Sequence, residues 1–241
     1  MSIRKWIAAF ATFLITASSG IAGDSLTIST FDQKTAVIEV HKLLGKAYRN
    51  LGIEMGVVKF PASRALVEAN LGNATDGELI RISGLTKQFP NLIEVPVRIA
   101  NFRISVFSKN TTFKVDGWPS LKPYEIAFMR GFKGMEKHAD GLKVYRTVSS
   151  EAALRMVHTD RTDIAVLPHL DGLILLQKLK MTGEVRYLLP PLEDVQLYHY
   201  LHKKHENLVP KITGELKKME MNGEIDMFWK KFEDNLVRET M

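Results

Sequence analysis

An α/β fold made of two successive strand-and-helix units is what this sequence predicts, and three observations carry the prediction. Short runs rich in β-branched residues alternate with helical-period stretches between Leu26 and Ile82. The same alternation returns between Tyr124 and Leu189. Strand, helix and strand in close succession imply parallel pairing, because antiparallel neighbours need only a tight turn. The chain of 241 residues, 45% apolar and 25% charged, is long enough to bury a sizeable core. It has no cysteine, so that core and not disulfides must hold it.

The first residues read MSIRKWIAAFATFLITASSGIAGDS. Cations at Arg4 and Lys5, an apolar run from Trp6 to Ile15 and small residues around Gly20 and Ala22 are the order of a secretory signal peptide. The uninterrupted apolar run is about half of the ~20 residues that cross a bilayer. Residues 1–22 are therefore expected to be removed, leaving a periplasmic mature chain that starts near Gly23 or Asp24, without a membrane anchor.

After the leader, Leu26 to Thr30 reads as a strand followed by the polar turn Asp32-Gln33-Lys34. Val37, Val40, Leu44, Ala47, Tyr48 and Leu51 then recur at helical spacing, and Gly52 stands where a C-cap belongs. Ile53 to Phe60 is a second strand, Pro61 opens a helix through Ala65, Leu66 and Ala69 that ends at Gly72, and Gly77 to Ile82 is a third strand. The second unit runs from a strand at Tyr124 to Met129 through Gly131, a helix near Met135 to Ala139 and a strand at Lys143 to Val148. Ser149 or Ser150 caps a helix reaching His158, followed by a strand at Asp163 to Leu167, a helix through Leu173, Leu176 and Leu179, and a strand near Val185 to Leu189. Two amphipathic helices, Leu208 to Met219 and Glu224 to Leu236, close the chain around Asn222-Gly223, with Phe228, Trp229 and Phe232 as core residues.

Three stretches together resemble the family-3 extracellular solute-binding proteins, the polar amino acid class that feeds ABC transporters. They are PASRALVEANLGNATDGELIRI (Pro61 to Ile82), VYRTVSSEAALRMVHTDRTDIAVLP (Val144 to Pro168), in which Asp163 takes the place of Asp76, and LHKKHENLVPKITGELKKMEMNGEIDMFWKKF (Leu201 to Phe232). The resemblance implies a type 2 periplasmic binding fold of two lobes, each a mainly parallel sheet flanked by helices. Lobe 1 would be residues 23–108 and 195–241, lobe 2 residues 109–194, joined by crossing strands with a ligand in the cleft. It also implies a monomer that hands a small molecule to an ABC transporter permease or a membrane receptor. Open α/β sheets bind ligands beyond the carboxyl ends of their strands, which agrees with that placement.

Seven residues are candidates for the ligand site. Arg81 stands in an otherwise apolar strand, where a guanidinium needs a partner, and Glu78 can supply it or accept an amine. Arg64, at the start of the helix after Pro61, could grip a carboxylate with its planar fork. Phe31 follows the first strand, where the family often places an aromatic against its ligand, and Arg130 ends a second-lobe strand beside Gly131. Thr147 and Ser149, with Ser150, lie at a strand-to-helix turn where hydroxyls either bind ligand oxygens or cap the helix. Two family features are missing. The carboxylate-binding Arg of a Thr-x-x-Arg context is replaced by Leu85-Thr86-Lys87-Gln88, and the Asp that takes an α-amine corresponds to Pro168, with Asp171 displaced nearby. The ligand class therefore stays open between an amino acid and another small, polar, anionic molecule.

The formal net charge of +6 is spread among acids and accompanied by no nucleic-acid motif, so no nucleic-acid partner is expected. His199, His202 and His205 fall at a spacing that fits neither a strand face nor an i, i+4 helix pair, so no metal is expected either. No phosphate-cradling loop or nucleophile elbow is present, and no cofactor or catalysis is expected. The alternatives are a dehydratase-like enzyme on the same fold, with Glu78 as general acid, and a sensor that presents its ligand to a membrane receptor.

Overall fold

The structure is a computed structural model that describes residues 25–31 and 34–238; the leader, its cleavage position and the turn residues Asp32 and Gln33 lie outside the described residues. The first unit is β1 (Ser25–Phe31), α1 (Lys34–Asn50), β2 (Glu54–Phe60), α2 (Ala62–Leu71) and β3 (Gly77–Ile82), in the order the hydrophobic periodicity predicts. A long strand, β4 (Leu92–Ser108), leads to the second unit: β5 (Glu125–Met129), α3 (Lys133–Glu136), β6 (Lys143–Thr147), α4 (Ser150–His158), β7 (Ile164–Pro168), α5 (His169–Leu179) and β8 (Arg186–Tyr187). The chain returns along β9 (Glu193–His202) to α6 (Val209–Met221) and α7 (Glu224–Arg238).

The strands follow the order β2-β1-β3-β9-β4-β7-β5-β6, with β8 on β4. β1 pairs in parallel with β2 and β3, and β5 in parallel with β6 and β7. Between these halves, β4 and β9 run antiparallel from Leu92↔His202 to Ile104↔Glu193. Both faces are covered, which the two-residue period along the strands shows directly. Ile126, Phe128, Ile164 and Val166 pack in one cluster with Met135, while Ala127, Ala165 and Leu167 pack in another with Leu154 and Leu173. In the first half, α1, α6 and α7 share a cluster with Ile28 and Leu79, and Ala69 of α2 joins Leu92 and Tyr200 in a separate one.

Two aspartates set the parallel pairing in the two halves. Asp76 donates its N–H to Thr27 O (2.7 Å) and accepts the Thr27 N–H on Oδ2 (2.7 Å), so the residue before β3 is locked to β1. Asp163 does the same one unit later, with its N–H on Glu125 O (3.1 Å) and the Glu125 N–H on its Oδ2 (2.8 Å). The resulting registers correspond, Ile28↔Gly77 and Ile126↔Ile164, which gives the sequence likeness of Asp76 and Asp163 a physical basis. Asp76 also takes Lys204 Nζ (2.8 Å) and His205 Nε2 (2.7 Å), tying the end of β9 to the same point. Burial works to raise its pKa, but the hydrogen bonds from Lys204, the Thr27 N–H and His205 outweigh it and hold the carboxyl below its usual range. Gly77 is required next to it, because a Cβ there would stand 2.2 Å from the Tyr200 carbonyl oxygen.

Three elements depart from the sequence reading. The resemblance implies a crossing strand near residue 108, but the residue pattern itself does not show β4, since Pro96 and the polar residues Arg98, Asn101 and Arg103 interrupt its apolar alternation. The ladder tolerates Pro96 because the register with β9 shifts between Glu94 and Arg98. The strand expected at Val185 to Leu189 is only the two residues of β8, and the helix expected at Met135 to Ala139 is the single turn of α3.

Removing an acceptor from a strand N–H costs about 1–3 kcal/mol when that group is left unpaired. Asp76→Ala is expected to lower the urea midpoint more than Asp163→Ala, because only Asp76 also holds Lys204 and His205, and the Glu125 contact is exposed. Its depressed pKa makes the Asp76 contribution present above the usual carboxylate range and lost as pH falls below it, so the gap to wild type should shrink in acid. Equal midpoints for the two variants would show that the clamp, not the cluster around it, is what matters.

Candidate functional site

The carboxyl ends of the parallel strands in both halves face one another across β4 and β9. From the first half come Phe31 and Phe60, the last residues of β1 and β2, and Arg81 near the end of β3; from the second come Met129, Thr147 and Pro168. A cavity of about 60 Å³ lies between them, lined by Phe31, Ile80, Phe102, Pro168, Asp171 and Trp229 among others. It takes its walls from both halves and its floor from Ala100, Asn101 and Leu197 of the crossing strands.

The structure brings Phe31, Glu78 and Arg81 together. The Arg81 guanidinium carbon lies 4.1 Å from the centre of the Phe31 ring, Nη2 donates to Ala62 O (2.9 Å) and Nε is 2.8 Å from Glu78 Oε1. That last contact is close but off the N–H axis, so neither atom completes a hydrogen bond. Glu78 is fully buried, while 14% of the Arg81 side chain remains exposed. Burial pushes the Glu78 carboxyl up to about 7 against the opposing pull of Arg81 and the Ser29 hydroxyl, and burial lowers Arg81 against the pull of Glu78.

Behind this cluster lies a neutral hydrogen-bonded pair. His199 Nδ1 is 3.2 Å from Leu79 O, which can only accept, so Nδ1 carries the proton and Nε2 accepts the Tyr48 O–H at 2.7 Å. Burial depresses His199 to about 4. His202 instead accepts the Lys204 N–H and His205 meets Asp76, so the three histidines of that segment serve three separate contacts.

The other candidates lie apart. Arg64 is exposed, pairs with Glu68 at 3.2 Å and stands over the Phe60 ring, without a contact to Arg81. Its expected role as a helper of Arg81 has no contact behind it, because α2 turns its side chain outward. Arg130 is exposed beyond β5 and adds a small pull on the Glu136 carboxylate. Ser149 Oγ accepts the Ala152 N–H (3.1 Å) as the cap of α4, and Thr147 Oγ1 reaches Phe128 O (3.1 Å) and Ser149 O (2.8 Å). Both hydroxyls are committed to the turn.

Several cleft residues were not singled out as ligands from the sequence. Asp171, in the first turn of α5, lines the cavity without a side-chain partner among the described residues; it is solvent-accessible, yet enough protein surrounds its carboxyl to raise its pKa. Its displacement from Pro168, visible in the sequence, was the signal. Val148, 93% exposed, together with Ile82 and Met129 gives the carboxyl ends an apolar rim. The turn after β3, where the family carries its Arg, is held by Glu94, which accepts from Ser83 Oγ (3.0 Å) and the Gly84 N–H (3.1 Å).

Compared with solved structures, the chain superposes on the L-cystine solute receptor of Neisseria gonorrhoeae in its unliganded open conformation with a TM-score of 0.67. The match covers 90% of this chain and 95% of that one at 14% identity. The fold is that of the two-lobed periplasmic binding proteins. An ancestral cationic amino acid solute-binding protein shares this periplasmic binding fold at a TM-score of 0.63 and 16% identity, over 86% of this chain and 94% of its own. Among curated sequences, an uncharacterized protein of Shewanella oneidensis is 27% identical over 183 residues, 73% of this chain and 69% of that protein. No family model matches. The cavity between Phe31 and Pro168 lies where residues of both strand-and-helix units meet the crossing strands, with Arg81 stacked on Phe31 at its edge. Among the described residues no helix is long and apolar enough to cross a membrane.

Folding favours the protonated form of Glu78, so its contribution to stability is complete below the ordinary value of 4.5 and is lost as pH rises through about 7. Glu78→Gln, which keeps the shape of the neutral acid, is expected to gain on wild type between about pH 5 and pH 8 by up to about 3 kcal/mol. Urea titrations across that range check it. A difference that stays constant with pH would show that Glu78 is ionised throughout.

Proposed function

We propose that this protein is a periplasmic solute-binding protein that closes two lobes over a small anionic or amino-acid-like molecule and delivers it to an ABC transporter. The observation that carries the reading is Arg81, a partly exposed guanidinium stacked on Phe31 at the carboxyl ends of the first-lobe strands. Its Nη1 has no partner among the described residues, so two N–H groups remain for a carboxylate. Arg81 thus offers the positive charge that Gln88 cannot offer in the turn after β3. Asp171 faces the same cavity from the second lobe and is placed to accept an amine, if the ligand has one. The apolar rim of Ile82, Met129 and Val148 suits the body of such a molecule.

The lobes of this reading are residues 23–108 with 195–241, and 109–194, and residues 1–22 form the signal peptide. The likeness of fold to the cystine receptor and to the ancestral amino acid binder supports binding over catalysis.

A thermal-shift screen of the exported protein with amino acids and small organic acids tests the function. A ligand at about 100 times its Kd should add about 2.7 kcal/mol of stability. Recovery of a dehydrated product would assign an enzyme instead. For the ligand so found, Arg81→Ala is expected to weaken binding by about 30-fold to several thousand-fold, and Arg81→Lys by less, because lysine keeps the charge but loses the planar fork. Calorimetry on the folded variants decides it; unchanged affinity in both would make Arg81 structural. Mass spectrometry of the exported chain is expected to find its first residue near Gly23 or Asp24, and an intact Met1 would remove the periplasmic assignment.

A further inference from the structure

The geometry points to a carboxylate subsite, formed by Arg81, Glu78 and Ser29, that takes its anion together with one proton, the proton coming to rest on Glu78 Oε2. The inference rests on the reading that Arg81 holds an anionic group, and it adds what happens to the charge already there. Arg81 and Glu78 together are neutral when both are ionised. An anion that reaches Nη1 of Arg81 also comes close to the carboxylate behind it, in a cleft from which closure would expel water, where like charges repel strongly.

The surroundings of Glu78 are built for the neutral acid as well as for the anion. Ser29 Oγ lies within hydrogen-bond distance of three oxygens, Glu78 Oε2 at 2.5 Å, Gly77 O at 2.9 Å and Ala65 O at 3.1 Å. A hydroxyl has one proton, so with Glu78 ionised only one of these contacts is a hydrogen bond. With a proton on Oε2, the acid donates to Ser29 Oγ and the Ser29 O–H turns to donate to Gly77 O or Ala65 O, which makes two. On the other side, Oε1 sits 2.8 Å from Arg81 Nε without an aligned N–H, so what neutralising the acid gives up there is mainly the attraction of the Arg81 charge, which the incoming anion takes over.

Among the described residues no other cation opposes the change. From β3 the charge facing Glu78 is Arg81 alone; from β1 comes the Ser29 hydroxyl; from α1 and β9 come Tyr48 and His199, joined in a neutral pair; Tyr200 of β9 turns its hydroxyl to Ile82 O and Glu94. On α2, the element above Ser29, Arg64 is exposed and held by Glu68, and Lys59 at the end of β2 has a contact of its own. Burial already places the Glu78 carboxyl at about 7, where a modest change in the nearby charge moves it across neutrality.

The test uses the full exported chain with acetate as the probe, the smallest carboxylate that an arginine fork can hold. The ionisation of Glu78 is followed by carboxyl-carbon NMR from about pH 5 to about pH 9, spanning its ordinary and shifted ranges. Acetate is expected to raise the Glu78 midpoint in wild type and to leave it unmoved in Arg81→Ala. Acetate affinity should fall about tenfold per pH unit above the midpoint of the free protein. Glu78→Gln, a fixed neutral analogue, should abolish that slope. If acetate shifts the signals of Phe31 and Ala62 while the Glu78 midpoint stays in place, the anion site stands and the proton coupling is overturned. If high-millimolar acetate moves neither, the anion site at Arg81 fails and the coupling fails with it.

Discussion

The geometry of the cleft depends on one small arrangement, an aspartate that accepts the backbone N–H at the start of a neighbouring parallel strand while donating its own N–H back. Parallel pairs lack a tight turn to fix their register, and a slip of one residue would send every side chain of the strand to the opposite face. Asp76 and Asp163 supply the missing constraint, each at the entrance of the third strand of its unit. With β1 and β3 locked at Ile28↔Gly77, the far ends of those strands are set as well, and Phe31 meets Arg81 there. The same lock on β5 and β7 brings Pro168 and the start of α5 to the opposite side of the cavity.

A second consequence of the first lock is the burial of Glu78. It is one residue beyond Gly77, opposite Tyr200, on a strand whose neighbours Leu79 and Ile80 are core. A carboxyl there would normally be a liability. Arg81, three residues on, brings a charge to it through the register shift between Glu78 and Arg81 that lets both side chains reach the same end of the sheet. Without that irregularity the two would point to opposite faces, as residues an odd number apart do in a regular strand.

This explains how far the sequence could be read. The parallel units and their helices are legible because period and turn chemistry are local, and the family resemblance added the equivalence of Asp76 with Asp163. The residue pattern of the crossing strand β4 is not legible, because its residues answer to tertiary demands: Arg98 and Arg103 reach Asp226 and Glu233 on α7, and Asn101 reaches Asp194 on β9. Arg81 and Glu78 stood out as charges in an apolar strand, and they do meet. Arg64, Thr147 and Ser149 stand out by chemical type and by their place at a helix start or a strand-to-helix turn. Neither shows that a helix turns one outward, or that a turn absorbs the hydroxyls of the other two.

The crossing strands are also held by the last helix. β4 and β9 join the two parallel halves of the sheet, and α7 grips β4. Trp229 Nε1 donates to Ile99 O at 2.8 Å, Glu233 pairs with Arg103, and the same carboxylate lies 3.8 Å from His169 Nε2 at the start of α5. His169 is buried, its Nδ1 is taken up by Ser105 Oγ of β4, and Nε2 has no better partner. Glu233 is thus shared between a crossing strand and a second-lobe helix, with Arg103 its closer cation. The last helix therefore joins the crossing strand to the start of α5 through a single carboxylate, with Arg103 as its closer partner and His169 as its more distant one.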